Sequence, residues 1–155
     1  MERVPITKEG YEKLKSELLR LQRDERPAVI KAIEEARGHG DITENAEFEA
    51  AKEKQALIEG RIQELTSRLA QCEIIEPSNH DNGKVMFGST VMMEDLQTND
   101  VTKYKLVGPF EADVQAGTIS VASPLGRALI GKEEGDEVKV QTPKGVRLFE
   151  ILEVQ

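Results

Sequence analysis

The chain has 155 residues, of which 32% are charged and only 4% aromatic, material for two modest cores and not for one large one. Its net charge of −8 is evenly split, with 13 basic against 17 acidic side chains up to residue 76 and 8 against 12 beyond it, so neither part grips nucleic-acid phosphates by bulk charge. A lone cysteine (Cys72), no apolar run near the roughly 18 residues of a membrane span and a first stretch that alternates charge with leucine lead us to expect a cytoplasmic protein with no disulfide and no membrane partner.

In chain order, Thr7 precedes a predicted helix from about Lys8 to Arg37. Tyr11, Leu14, Leu18 and Leu21 follow the 3-4-3 spacing of a two-helix seam. The seam resumes at Val29, Ile33 and Ala36, eight residues on from Leu21 instead of seven, and the slip brackets Pro27. A kink at Pro27 is expected, with a stop there as the alternative. Gly10 weakens the first turns by roughly 1 kcal/mol, which packing can absorb. Gly38 and Gly40 then predict a left-handed end to the helix.

A second helix follows, with Phe48, Ala51, Gln55, Ile58, Ile62, Leu65, Leu69 and Cys72 in unbroken 3-4 alternation. After a tight turn, so regular a pattern predicts an antiparallel hairpin with arms roughly 45 Å long. Its large apolar residues gather away from the turn, which leaves a slender tip held chiefly by Phe48.

Residues 77–83 read as a linker, so the expected domains are a hairpin over 1–76 and a globular domain over 84–155. Strands are predicted at 84–87, 89–96, 101–107, 118–121, 137–142 and 146–154. Between the fourth and fifth, Ser123 as cap, Pro124 at the first helical position and Gly131 beyond the end describe one short helix. The fold class is therefore α+β, a two-helix coiled coil followed by a small antiparallel sheet with a single helix.

Asp41 and Glu44 carry the most chemistry. Their spacing is that of a capping box, and the same spacing sets two carboxylates on one face of a first helical turn, where they could share a Mg²⁺. At an exposed tip such a site would be feeble, because charges about 4 Å apart attract by only ~1 kcal/mol in water. The tip would have to lie inside another molecule. Arg37 and Lys52 flank it and could touch phosphate or simply be solvated. His39, His80 and Cys72 lack zinc spacing, and no nucleophile constellation or phosphate loop is present, so the chain does not read as an enzyme with its own cofactor or small-molecule substrate.

The run from Ala36 to Phe48, ARGHGDITENAEF, resembles the coiled-coil tip of the bacterial Gre family of transcript-cleavage factors, and Ser123 to Lys132 with Glu134 to Val138 resembles that family's C-terminal signature. The resemblance implies an FKBP-like globular domain that binds RNA polymerase, with Ser123 and Pro124 in the docking region. It implies that the coiled coil enters the polymerase's secondary channel. There Asp41 and Glu44 would help hold a Mg²⁺ of the polymerase active site and stimulate cleavage of backtracked RNA, with Arg37 and Lys52 near the RNA 3′ end. The polymerase remains the enzyme. Phe48 where Tyr is commoner, Thr43 for a frequent Lys and Ala122 for Asn or Asp depart from the family pattern. A Gre-like blocker of the same channel is the alternative, and a prolyl isomerase is disfavoured by the shortage of aromatic residues for an apolar pocket.

Overall fold

The computed structural model describes residues 3–38, 42–76 and 83–155, with the backbone alone for Ile42–Asn45. In order they form β1 (Val4–Ile6), α1 (Lys8–Arg20), a π-helical turn (Leu21–Glu25), α2 (Arg26–Arg37), α3 (Ile42–Gln71), β2 (Cys72–Ile74), β3 (Thr90–Asp95) and β4 (Val101–Val107). A 3-10 turn (Val114–Ala116), β5 (Thr118–Ser120), α4 (Pro124–Leu129), β6 (Glu137–Thr142) and β7 (Gly145–Val154) complete the chain. No described helix is long and apolar enough to cross a membrane.

Contacts gather these elements into two units, Tyr11–Gln71 and a globular unit of the described residues up to Gly10 together with those from Cys72 onward. The expected boundaries at 76 and 84 are corrected accordingly. Both ends of the predicted hairpin belong to the globular unit, because β1 and β2 pair in parallel there, Val4 with Cys72, Pro5 with Glu73 and Ile6 with Ile74. Residues 77–82 of the expected linker lie outside the described residues.

Within the hairpin unit the first helical run does not stop at Pro27. The slipped seam is absorbed by the π turn, in which the Arg26 N–H donates to the Leu21 carbonyl five residues back, so that turn takes one residue more than an α-turn. The consequence is that Leu14, Leu21, Val29, Ile33 and Ala36 all end up buried. On α3, Ile58, Ile62 and Leu65 are buried and Phe48, Ala51 and Gln55 are half-buried, so the seam thins toward the turn on that side. Arg37 meets Phe48, Arg26 meets Glu59 and Glu17 meets Arg61, a sequence of pairs that runs as antiparallel helices require.

The globular unit is a five-stranded sheet in the order β5-β4-β3-β7-β6. It is mixed, not purely antiparallel as expected, because β5 follows a loop long enough to bring it back parallel to β4. The expected strand at 84–87 is reduced to a single bridge from Lys84 to Glu133, since its partner segment leaves α4 in a turn. Val85 nevertheless enters the core, where Val91, Met93, Leu106, Ile119, Val138, Val140 and Ile151 of the sheet pack with Leu129 of α4. A bulge opposite Met92 and Met93 breaks the alternation of β7, so Ile151 is buried while its neighbours Leu152 and Glu153 are both exposed.

Where β1 gives way to α1, Thr7 caps the helix by accepting the Gly10 N–H at 3.0 Å on its hydroxyl oxygen. Glu111, from the turn after β4, accepts the Thr7 N–H at 2.8 Å and the Gly108 N–H at 2.9 Å, and also the Thr7 hydroxyl. A Cβ at position 10 would overlap this carboxylate. The helix-weakening Gly10 is thus the residue that makes room for it.

Candidate functional site

The candidate tip is built by the end of α2 and the start of α3. Gly38 continues the right-handed helix, with φ −73°, and its N–H donates to the carbonyls of Glu34 and Glu35 at 3.2 Å. The left-handed end expected there does not occur at Gly38, because a backbone N–H with two carbonyls in reach needs no reversal, and Gly40 lies outside the described residues. So does Asp41. Glu44 is the third residue of α3, described by its backbone, at the helix end where unpaired N–H groups and the positive dipole favour carboxylates. Capping and cation binding both remain consistent with that position.

Arg37 and Lys52, the candidate phosphate contacts, have partners on the hairpin itself. The Arg37 guanidinium carbon lies 5.9 Å from the Phe48 ring centroid, within cation–π range. The Lys52 ammonium donates to Gln55 Oε1 at 3.4 Å. Each is a half-committed cation whose head group still faces solvent. Among the described residues no group of three or more His, Cys, Asp or Glu could hold a metal ion.

The stem below the tip is braced by charge. Arg61 forks onto Glu17 through Nε at 2.9 Å and Nη2 at 3.1 Å, and Arg26 does the same to Glu59. The hydrogen bond from Arg61 holds the Glu17 carboxyl below its ordinary pKa against the opposing effect of burial, and the same contact raises that of Arg61.

In the globular unit Ser123 is a working cap. Its hydroxyl oxygen accepts the Gly126 N–H at 3.0 Å and its O–H donates to the Ser120 carbonyl at 2.6 Å, with Pro124 in the first turn of α4. The Arg127 Nε donates to the Ala122 carbonyl at 2.7 Å, which aims the guanidinium along the same surface. Beside it opens a cleft of about 440 Å³ lined by Pro5, Ile75, Phe87, Val121, Arg127 and Ile130. The sequence argument that few aromatics leave little for an apolar pocket is corrected here, since aliphatic side chains supply most of the lining. The signal that could have found it is Ile74-Ile75 and Ile130, apolar residues beyond the last periodic position of α3 and α4, which remain 37–43% exposed.

Both parts of the chain match family models, the first as "Transcription elongation factor, N-terminal" over residues 4–74 and the second as "Transcription elongation factor, GreA/GreB, C-term" over residues 80–155. The fold and its acidic-tipped hairpin therefore belong to a class of transcription elongation factors. Similar proteins include the transcription elongation factor GreA of Syntrophobacter fumaroxidans, 72% identical over 155 residues with 100% of this chain and 99% of the relative covered. The GreA of Hyphomonas neptunium is 54% identical over 154 residues, covering 99% and 98%. The solved GreA factor homolog 1 of Thermus thermophilus is 33% identical with 99% of each chain covered, at a TM-score of 0.44, a likeness from which nothing further is drawn. This chain belongs to the GreA/GreB family of transcription elongation factors.

Proposed function

We propose that the protein binds bacterial RNA polymerase through its globular unit and stimulates the polymerase's own cleavage of backtracked nascent RNA through the hairpin tip. The observation that carries this reading is the place of Asp41 and Glu44, on the connection between two helices packed along each other for about 45 Å. Two carboxylates suit a hard cation by donor chemistry and fall well short of a full ligand set, so the remaining ligands come from the polymerase. Bound there, a shared Mg²⁺ supplies charge stabilisation to the attacking and leaving oxygens of an in-line displacement. Asp41 and Glu44 contribute oxygens and orient water, while Arg37 and Lys52 steady the RNA 3′ segment. Ser123 and Pro124 face the polymerase, with the apolar cleft beside them offering buried area. The polymerase is the enzyme and this chain lends it side chains.

A defined backtracked complex with Mg²⁺ at neutral pH tests this, with no factor, wild type and the Asp41→Ala/Glu44→Ala double variant compared. Shortened RNA with wild type alone, and polymerase binding retained by the double variant, is the expected result. Loss of binding in the double variant counts against it. Slowed elongation by both proteins without cleavage makes the carboxylates caps and the protein a channel blocker.

A further inference from the structure

Glu111 stands 104 residues from Thr7 in sequence, yet its carboxylate holds the start of α1 in place. One oxygen accepts the N–H groups of Thr7 and Gly108, and the other accepts the Thr7 hydroxyl, whose oxygen in turn receives the Gly10 N–H. The residue before the helix and the third residue within it are thereby fixed to the turn after β4. Two glycines make the approach possible, since a Cβ at Gly10 would overlap the Glu111 carboxylate and one at Gly108 would overlap the Pro5 carbonyl. Thr7 is 3% exposed, so water does not compete for these bonds.

The helix that begins at this clasp runs unbroken from Lys8 to Arg20, across the division between the two units at Gly10 and Tyr11. An angular change at a helix root is multiplied along its length. Over about 45 Å of helix a tilt of about 5° displaces the far end by about 4 Å. A reacting group misplaced by about 1 Å can already cost about a hundredfold in rate. We infer that the Thr7–Gly10–Glu111 clasp positions the tip, with Glu111 touching neither RNA nor metal but setting the direction in which α1 carries the carboxylates. The inference rests on the proposed function above.

The test titrates each protein against a backtracked complex and separates the maximal cleavage rate from the half-saturating concentration. Glu111→Ala and Gly10→Ala should lower the maximal rate at least about tenfold and leave half-saturation within about twofold. Gly10→Ala improves helix propensity while pushing the carboxylate aside, so its loss cannot be read as a weaker helix. Glu111→Gln, whose carbonyl can accept both N–H groups while its amide donates to the Thr7 hydroxyl, should return to within about threefold of wild type. Unchanged maximal rates in both Ala variants, half-saturation rising in step with the rate loss, or a Gln variant as defective as Ala would each overturn the inference. Failure of wild type to stimulate cleavage would instead overturn the proposed function.

Discussion

Arg37 lies over the face of Phe48, its guanidinium carbon 5.9 Å from the ring centroid, so the last residue of α2 is tied to the first seam residue of α3. No large aliphatic residue lies nearer the turn, where Ala36 and Ala51 complete the seam. Phe48→Ala should loosen the closed end by roughly 1–2 kcal/mol, a discounted value for a half-buried ring. Arg37→Ala should cost about 0.5–1 kcal/mol. Hydrogen exchange should quicken at 34–37 and 46–52 in both variants, with amides near Ile62 and Leu65 unaffected; a uniform change along the hairpin would contradict the local role.

The Glu17–Arg61 pair makes hairpin stability depend on pH. Because the folded carboxyl titrates below its unfolded value, protonation favours the unfolded chain; the stabilisation is fully present above the unfolded pKa and lost as pH falls through the folded one. Both side chains are about one-third exposed, so solvent screening limits the contribution to roughly 0.5–1 kcal/mol. Thermal melts at pH 7 and at pH 3 should converge for Glu17→Gln relative to wild type. An acid loss of the same size in both proteins would assign the pH dependence to other carboxylates.

The π turn follows from the seam spacing and not from Pro27 alone. Rotating α2 by one residue would withdraw Val29 and Ile33 from the interface, a loss of roughly 3–5 kcal/mol, more than the poorer geometry of one wide turn. Pro27→Ala should therefore shift stability by less than about 1 kcal/mol, far below the ~3 kcal/mol a proline costs inside a regular helix. Deleting Asp24 restores seven-residue spacing, and the shortened hairpin should keep its helical circular dichroism with an unchanged or higher Tm. A collapse of helicity on deletion would show that the extra residue is required.

Gly38 and Gly117 should respond oppositely to alanine. Gly38 has right-handed φ and ordinary contact distances of 3.5 and 3.7 Å to the nearest carbonyls, so Gly38→Ala should stabilise by about 0.4–1 kcal/mol. Gly117 has φ +84°, and Gly117→Ala should destabilise by about 1–2 kcal/mol. Chemical denaturation of the two variants decides it, and matching signs would refute the contrast.

The hairpin was legible because its signal is local. From Phe48 to Leu69 the seam residues are buried or half-buried in the structure, since a 3-4 repeat states its own partner face. The slip at Leu21 to Val29 was equally visible, although its resolution as a wide turn depended on the facing helix. The parallel β1–β2 pair was not legible, because three-residue strands 68 positions apart carry no periodicity and nothing at Val4 points to Cys72. The Glu111 clasp was hidden for the same reason. Its one trace in the sequence was Gly10, a poor helix former where the pattern demands a helix. The tip carboxylates were found by motif alone, and their geometry falls on Asp41 and on the side chain of Glu44, outside what is described.

The pairing of β1 with β2 has a consequence for how the chain folds. Its contacts close a loop of more than sixty residues, an entropic cost that would make the pair a late and slow step for a flexible chain. Everything inside that loop except its short connection is helix, held by neighbours in an antiparallel seam that assembles from local contacts. Once the hairpin zips from its turn, Val4 and Cys72 arrive side by side with little chain left to order. The coiled coil is then the template on which the first and last strands of its own root meet, and a lesion in the seam should delay completion of the globular unit as well as of the hairpin.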